Sequence, residues 1–134
     1  MVMGEAVIVA GIGCRKGVSA NKVLAAITAA LEQHGLQSSQ LLCLATVAAK
    51  ADERAITEAA STLSLELIIV PDQKLAETSS RQLSHSEISL ATTGTKSASE
   101  AAALAAAGPG SRLLGPRIAV GPVTCALAVR ESVP

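Results

Sequence analysis

Residues 6–17 run Ala6-Val7-Ile8-Val9-Ala10-Gly11-Ile12-Gly13-Cys14-Arg15-Lys16-Gly17. Two features of this stretch set the fold class. Residues 6–12 are a continuous apolar run, which is how a strand buried on both faces is written. A glycine loop, Gly11 to Gly17, follows it, and Ser19 is placed to cap a helix behind the loop. Val23, Leu24, Ile27 and Leu31 then recur at helical spacing, and Gly35 stops the helix. Strand, glycine loop and helix in that order open a parallel α/β sheet.

The rest of the chain extends the same alternation. Residues 41–47 are a second apolar run, and Asp52 and Glu53 open a second helix, where carboxylates suit the N-terminal dipole. Ile56, Ala59, Ala60 and Leu63 form its buried stripe. Residues 66–70 give a third strand, ended by Pro71. A short helical turn is expected near 72–77 and another short helix over 87–93, with Gly94 behind it. Ser97-Ala98-Ser99-Glu100 has the spacing of a capping box ahead of an Ala-rich helix that Gly108-Pro109-Gly110 ends. The tail predicts two strands, 112–118 and 123–129, joined around Val120-Gly121-Pro122. So short a connection makes them antiparallel, whereas helical crossovers make the first three strands parallel. Val123, Cys125, Leu127 and Val129 share one face. The expected architecture is a three-layer α/β/α sandwich with a mixed, mostly parallel sheet of about five strands, in one domain over residues 1–134.

Composition excludes several function classes. The chain has 134 residues, 49% hydrophobic and 16% charged, which is too apolar for a disordered chain. Eleven Lys and Arg balance eleven Asp and Glu, so the basic excess of a nucleic-acid binder is missing. There is no Phe, Tyr or Trp, hence no platform on which bases stack. The core must be aliphatic and Ala-rich, and its elements must sit close together. Uncharged apolar runs are too short for a transmembrane helix, and the start, Met1-Val2-Met3-Gly4-Glu5, does not resemble a secretory signal. Cys14, Cys43 and Cys125 are far apart and form no CxxC, as in a reduced, cytoplasmic protein. With only His34 and His85 as histidines, no metal site and no cofactor are expected.

The chemistry-bearing candidates lie on the loops after the strands, where open α/β sheets bind ligands. Gly11, Gly13 and Gly17 let a ligand approach the backbone, helix N–H groups attract anions, and Arg15 and Lys16 add charge. The spacing G-x-G-x-x-x-G is not the dinucleotide fingerprint, and Val18 stands where a Walker A loop needs Lys. The loop therefore points to an anion and not to a nucleotide; otherwise it is a tight turn with two solvated cations. Thr46, Lys50, Asp52 and Glu53 should open at the same edge if the first crossover is right-handed. Cys14, beside cations and a helix N-terminus, has the setting of a lowered thiol pKa, with a small packed side chain as the alternative. Glu100 is either an acid–base group or a capping residue, and Ser97 has the same two readings. Ser84-His85-Ser86 lacks a nucleophile elbow and belongs to a surface loop. Arg117 and Thr124 read as polar groups at the edge of the sheet, with lining the ligand pocket as the alternative.

At these residues the sequence resembles the CobE / CbiG C-terminal-domain family of cobalamin biosynthesis. Gly11-Ile12-Gly13-Cys14-Arg15-Lys16-Gly17 is similar to that family's opening G-I-G-C-R-[RK]-G motif. Leu44-Ala45-Thr46 with Lys50-Ala51-Asp52-Glu53 resembles its second block. Gly94 with the run from Ser97 to Leu104 resembles the block before its last helix, and Val123-Thr124-Cys125-Ala126 its closing strand. Where the family is Lys-rich, Pro116-Arg117-Ile118-Ala119-Val120 leaves Arg117 as the one cation. The resemblance implies a cytoplasmic protein of corrin-ring synthesis with a three-layer α/β/α fold, of the free-standing CobE type. Its two-part relative CbiG opens a δ-lactone on a cobalt-precorrin and releases acetaldehyde. A corrinoid or other tetrapyrrole intermediate is the implied ligand, its carboxylate arms meeting Arg15, Lys16, Lys50 and the loop N–H groups. A carrier or accessory protein, a lactone hydrolase using Glu53 or Glu100 as base, and a subunit docking on other pathway enzymes are the three readings. No nucleic acid or membrane is expected as a partner.

Overall fold

The computed structural model describes residues 6–50, 53–78, 82 and 97–131. The helix expected over 87–93, Gly94, His85 and Asp52 lie outside the described residues. The chain runs β1 (Ala6–Cys14), α1 (Ala20–Gln33), β2 (Leu41–Val47), α2 (Arg54–Thr62), β3 (Glu66–Val70), α3 (Asp72–Ala76), α4 (Ala98–Ala107), β4 (Arg112–Leu113), β5 (Ile118–Val120) and β6 (Val123–Glu131). The six strands form one sheet in the order β3-β2-β1-β6-β4, with β5 also on β6. β1, β2 and β3 pair in parallel, while β6 pairs antiparallel with β1, β4 and β5. Every strand except β6 therefore points the same way, so the sheet is mixed and mostly parallel.

Each face of the sheet has its own core. Ile8, Ala10, Ile12, Leu44, Cys125 and Leu127 pack under α1 and α2, which contribute Val23, Ile27, Ile56 and Ala59. Val9, Cys43, Ala45, Val70, Ala126 and Ala128 pack under α3 and α4. Val123, Cys125, Leu127 and Val129 do share one face, as their alternation predicts. Ser19 Oγ accepts the Lys22 N–H and caps α1. At the far end of the second layer, Arg130 Nε donates to the Ala107 carbonyl at 2.6 Å and satisfies the last turn of α4. No helix among the described residues is long and apolar enough to cross a membrane.

Three local expectations change. First, β1 runs on through Cys14, so Gly11 and Gly13 are strand residues paired with Ala126 and Thr124 of β6. The glycine loop shrinks to the turn between Cys14 and Ser19. Second, the strand expected over 112–118 is two short strands, because Pro116 lacks an amide for the ladder and the Arg117 amide is bound elsewhere, as described below. Third, Ser97 stands at the N-cap of α4 but its side chain makes no capping hydrogen bond.

The reason for glycine at position 11 is close approach. A Cβ there would meet the Ser99 carbonyl oxygen at 2.0 Å and the Ala103 nitrogen at 2.7 Å, both backbone atoms of α4. The helix lies directly on the strand, and its sheet-facing residues Ala102 and Ala103 are fully buried. Gly11→Ala is expected to destabilise the fold by about 3 kcal/mol or more through overpacking. Gly17, left-handed at φ +78° with nothing within 4 Å of an added Cβ, is the control; its Ala variant should cost only about 1–2 kcal/mol. Urea unfolding followed by circular dichroism measures both.

Candidate functional site

The carboxyl ends of β1 and β2 gather most of the sequence candidates. Cys14 ends β1, and the Arg15 amide donates to the Pro122 carbonyl at 3.2 Å, which ties the turn to the start of β6. Arg15, Lys16 and Gly17 are exposed, at the entrance to α1. β2 ends beside them. Thr46 is fully buried, and its hydroxyl donates to the Ile12 carbonyl at 2.9 Å. Beyond it the turn Ala48–Lys50 and the N-cap residue Glu53 of α2 bring Lys50 and Glu53 half-buried to the same edge. Their charges reach Cys14, so the two loops do open at one edge of the sheet.

Of the two readings of Cys14, its thiol takes that of a packed side chain. Burial raises its pKa above the ordinary thiol value, and the Glu53 carboxylate raises it further, against a lowering by Lys50. The Lys50 charge does not offset the loss of water, so Cys14 is a protonated thiol at neutral pH rather than an activated nucleophile. Cys43 is raised by burial and by Glu66, and burial pushes Cys125 up to about 12.

A second group forms at the N-terminus of α4. Glu100 is fully buried, and its Oε2 accepts the Arg117 amide at 2.9 Å. Arg117 Nη1 in turn donates to Ser97 Oγ at 3.3 Å. The Ser97 amide donates to Gln82 Oε1, and Gln82 Nε2 donates to Thr78 Oγ1, which joins α4 to the end of α3. The expected capping box is thus replaced by long-range partners: Arg117 engages both of its side chains. Thr124 Oγ1 donates to the Gly13 carbonyl at 3.3 Å, so Thr124 also belongs to this edge. Arg117 and Thr124 read as peripheral in the sequence because nothing local links them to residues 13 or 97–100. A separate, mostly apolar groove of about 360 Å³ runs beside β3, lined by Ile68, Pro71, Lys74, Leu104 and Pro109 among others. It contains none of these candidates.

Alkylation of Cys14 by iodoacetamide should therefore stay slow at neutral pH and accelerate only in alkaline solution. Glu53→Gln removes a charge that raises the pKa and is expected to shift the rate profile to lower pH. Lys50→Met is expected to shift it higher. Mass-spectrometric rates at Cys14 across pH check both signs.

Known proteins share this fold. The family described as Cobalamin synthesis G C-terminus matches residues 8–128. Protein CobE of a Sinorhizobium species is 33% identical over 121 residues, covering 90% of this chain and 79% of that protein. The crystal structure of a CobE, a protein from the cobalamin (vitamin B12) biosynthetic pathway, superposes with a TM-score of 0.89 at 32% identity, over 99% of this chain and 95% of that one. The cobalamin biosynthesis protein chiG from Agrobacterium tumefaciens strain C58 is 48% identical, with a TM-score of 0.73 over 91% of this chain and 97% of its own.

Proposed function

The chain belongs to the Cobalamin synthesis G C-terminus family of cobalamin-biosynthesis proteins, and on that premise we propose that it binds a polycarboxylate precorrin or corrinoid intermediate at the carboxyl edge of its sheet, as a carrier or accessory protein. One observation carries this reading. The exposed turn Arg15-Lys16-Gly17 leads from the end of β1 into the capped N-terminus of α1, with Lys50 at the same edge. Cations and a helix N-terminus together suit carboxylate arms. Arg15 is the specific anchor, because its planar fork can bind a carboxylate through two hydrogen bonds and Lys16 cannot. Gly11 and Gly13 act indirectly, by letting α4 close over the strand. Thr46 holds the end of β2 against β1, Cys14 lies beneath the turn, and Ser97 keeps Arg117 at the edge.

Binding is favoured over lactone hydrolysis by the state of Glu100. A fully buried carboxylate that accepts a backbone amide is poorly placed to take a proton from water. Glu53 is then the remaining base for a hydrolase, and cofactor chemistry has no part in either reading.

Visible-absorption titration against late ring intermediates, metal-free and cobalt-containing, tests the proposal, since a chain without aromatic residues absorbs little itself. A saturable shift is expected. Arg15→Ala should weaken binding by about tenfold or more, equivalent to about 1.4 kcal/mol, with unchanged thermal stability. Turnover of a lactone-bearing intermediate that Glu53→Gln abolishes would select the hydrolase. No spectral shift with any intermediate would leave docking on another pathway enzyme.

A further inference from the structure

Three cations stand at the carboxyl edge of β1 and β2, and among the described residues one anion stands with them. Arg15 and Lys16 are exposed on the turn, while Lys50 and Glu53 are half-buried beside it. The edge is built from the ends of two paired strands. Gly11 of β1 lies opposite Ala45 of β2, and the Thr46 hydroxyl ties the two ends together at the Ile12 carbonyl. From there the chain makes one short turn, Ala48–Lys50, and the Glu53 amide donates to the Lys50 carbonyl at 3.0 Å. That bond holds Glu53 at the start of α2.

A site for carboxylate arms alone has no use for a carboxylate of its own. Glu53 has two structural uses open to it and takes neither. At the N-cap of α2 its side chain accepts no hydrogen bond from the helix. Lys50 stands three residues away, yet among the described residues neither the Lys50 ammonium nor the Glu53 carboxylate forms a hydrogen bond or an ion pair. Both act instead on one point. Their charges are felt, with opposite sign, at the Cys14 thiol, one residue before Arg15. An anion bound at Arg15 is therefore attracted by Lys50 and repelled by Glu53. A neutral group with an N–H finds the reverse, since an ionised carboxylate only accepts hydrogen bonds and holds a donor more strongly than a neutral acceptor does.

We infer that Glu53 is the specificity-determining residue of this edge: it admits a ligand that offers a carboxylate to Arg15 and an uncharged hydrogen-bond donor, such as a primary amide, beside it, and it disfavours a ligand with carboxylates at both places. The inference rests on the reading of the Arg15-Lys16-Gly17 turn as a polycarboxylate site. It narrows the ligand from a polycarboxylate to an acid whose neighbouring arm is neutral. Selection of this kind works by repelling the wrong ligand as much as by attracting the right one. The role needs no proton transfer, which separates it from that of a hydrolytic base.

Two cobalt corrinoids serve as probes in visible-absorption titrations at constant ionic strength. One carries all its arms as free carboxylates, and the other has all but one converted to primary amides. The readout is the ratio of their two dissociation constants, because a variant that merely loosens the fold moves both and leaves the ratio alone. Glu53→Gln should tighten the all-carboxylate probe about threefold by removing a repulsive charge, and weaken the amide probe about threefold by replacing a charged acceptor with a neutral one, so that the ratio moves about tenfold. Glu58→Gln is the control. It removes the same charge from an exposed position of α2 that does not act on Cys14, and it should leave the ratio unchanged. A ratio unmoved by Glu53→Gln, or moved equally by Glu58→Gln, overturns the inference and leaves the turn intact. If the unmodified chain binds neither probe, the reading of the turn fails and this inference falls with it.

Discussion

Helix α4 lies so close to β1 that no side chain fits between them at Gly11, where a Cβ would fall 2.0 Å from a main-chain oxygen of the helix. Most helices stand off a sheet by the length of their larger side chains, which interdigitate. Here the separation is set by alanine and glycine. Ala101, Ala102 and Ala103 are fully buried on the helix, and Ala126 and Ala128 flank the contact on β6. No aromatic ring would fit at that contact. What the core loses in apolar area per residue it recovers in dispersion contacts, since main-chain atoms on both sides touch directly.

That close contact also carries the polar edge. Because the helix sits directly on the strand, its first turn projects over Gly13 and lies next to the start of β6. Glu100, on that first turn, engages the amide of Arg117 and so draws the link between β4 and β5 toward the helix. Together with Pro116, this breaks the strand, while Ser97 is drawn from the capping box by the Arg117 guanidinium and Gln82. A carboxylate buried at a helix N-terminus is favoured by the dipole, and the Arg117 amide supplies one of the hydrogen bonds it needs away from water. On the other face of β1, Thr46 fixes the end of β2 to the Ile12 carbonyl and brings Lys50 and Glu53 alongside Cys14. The edge thus joins an exposed cationic turn on one side to a buried network of donors on the other.

Much of this was legible along the chain. The apolar runs at 6–12, 41–47 and 66–70, the Ser19 cap and the alternation of Val123, Cys125, Leu127 and Val129 gave strands, helices and their buried faces. The exposed Arg15 and Lys16 were legible as well, since charges on a turn after a strand face water in almost any α/β fold. Other signals misled for physical reasons. Glycines after an apolar run imply a loop, yet Gly11 and Gly13 extend the strand because a helix must lie on them. Ser97 and Glu100 have capping-box spacing, yet Arg117, seventeen residues beyond Glu100, competes successfully for both. Cys14 beside cations suggests an activated thiol, yet burial and Glu53 outweigh Lys50.

By itself, then, the sequence determined the order of elements, the class of the sheet and which face of each element is buried. These follow from hydrophobic periodicity and backbone propensity, which act over a few residues. Only the tertiary structure decided the distance between α4 and β1, the partners of Glu100 and Ser97 and the protonation of Cys14. Each depends on how closely residues distant in the chain approach and on how much water is left between them. Local patterning has no term for either quantity.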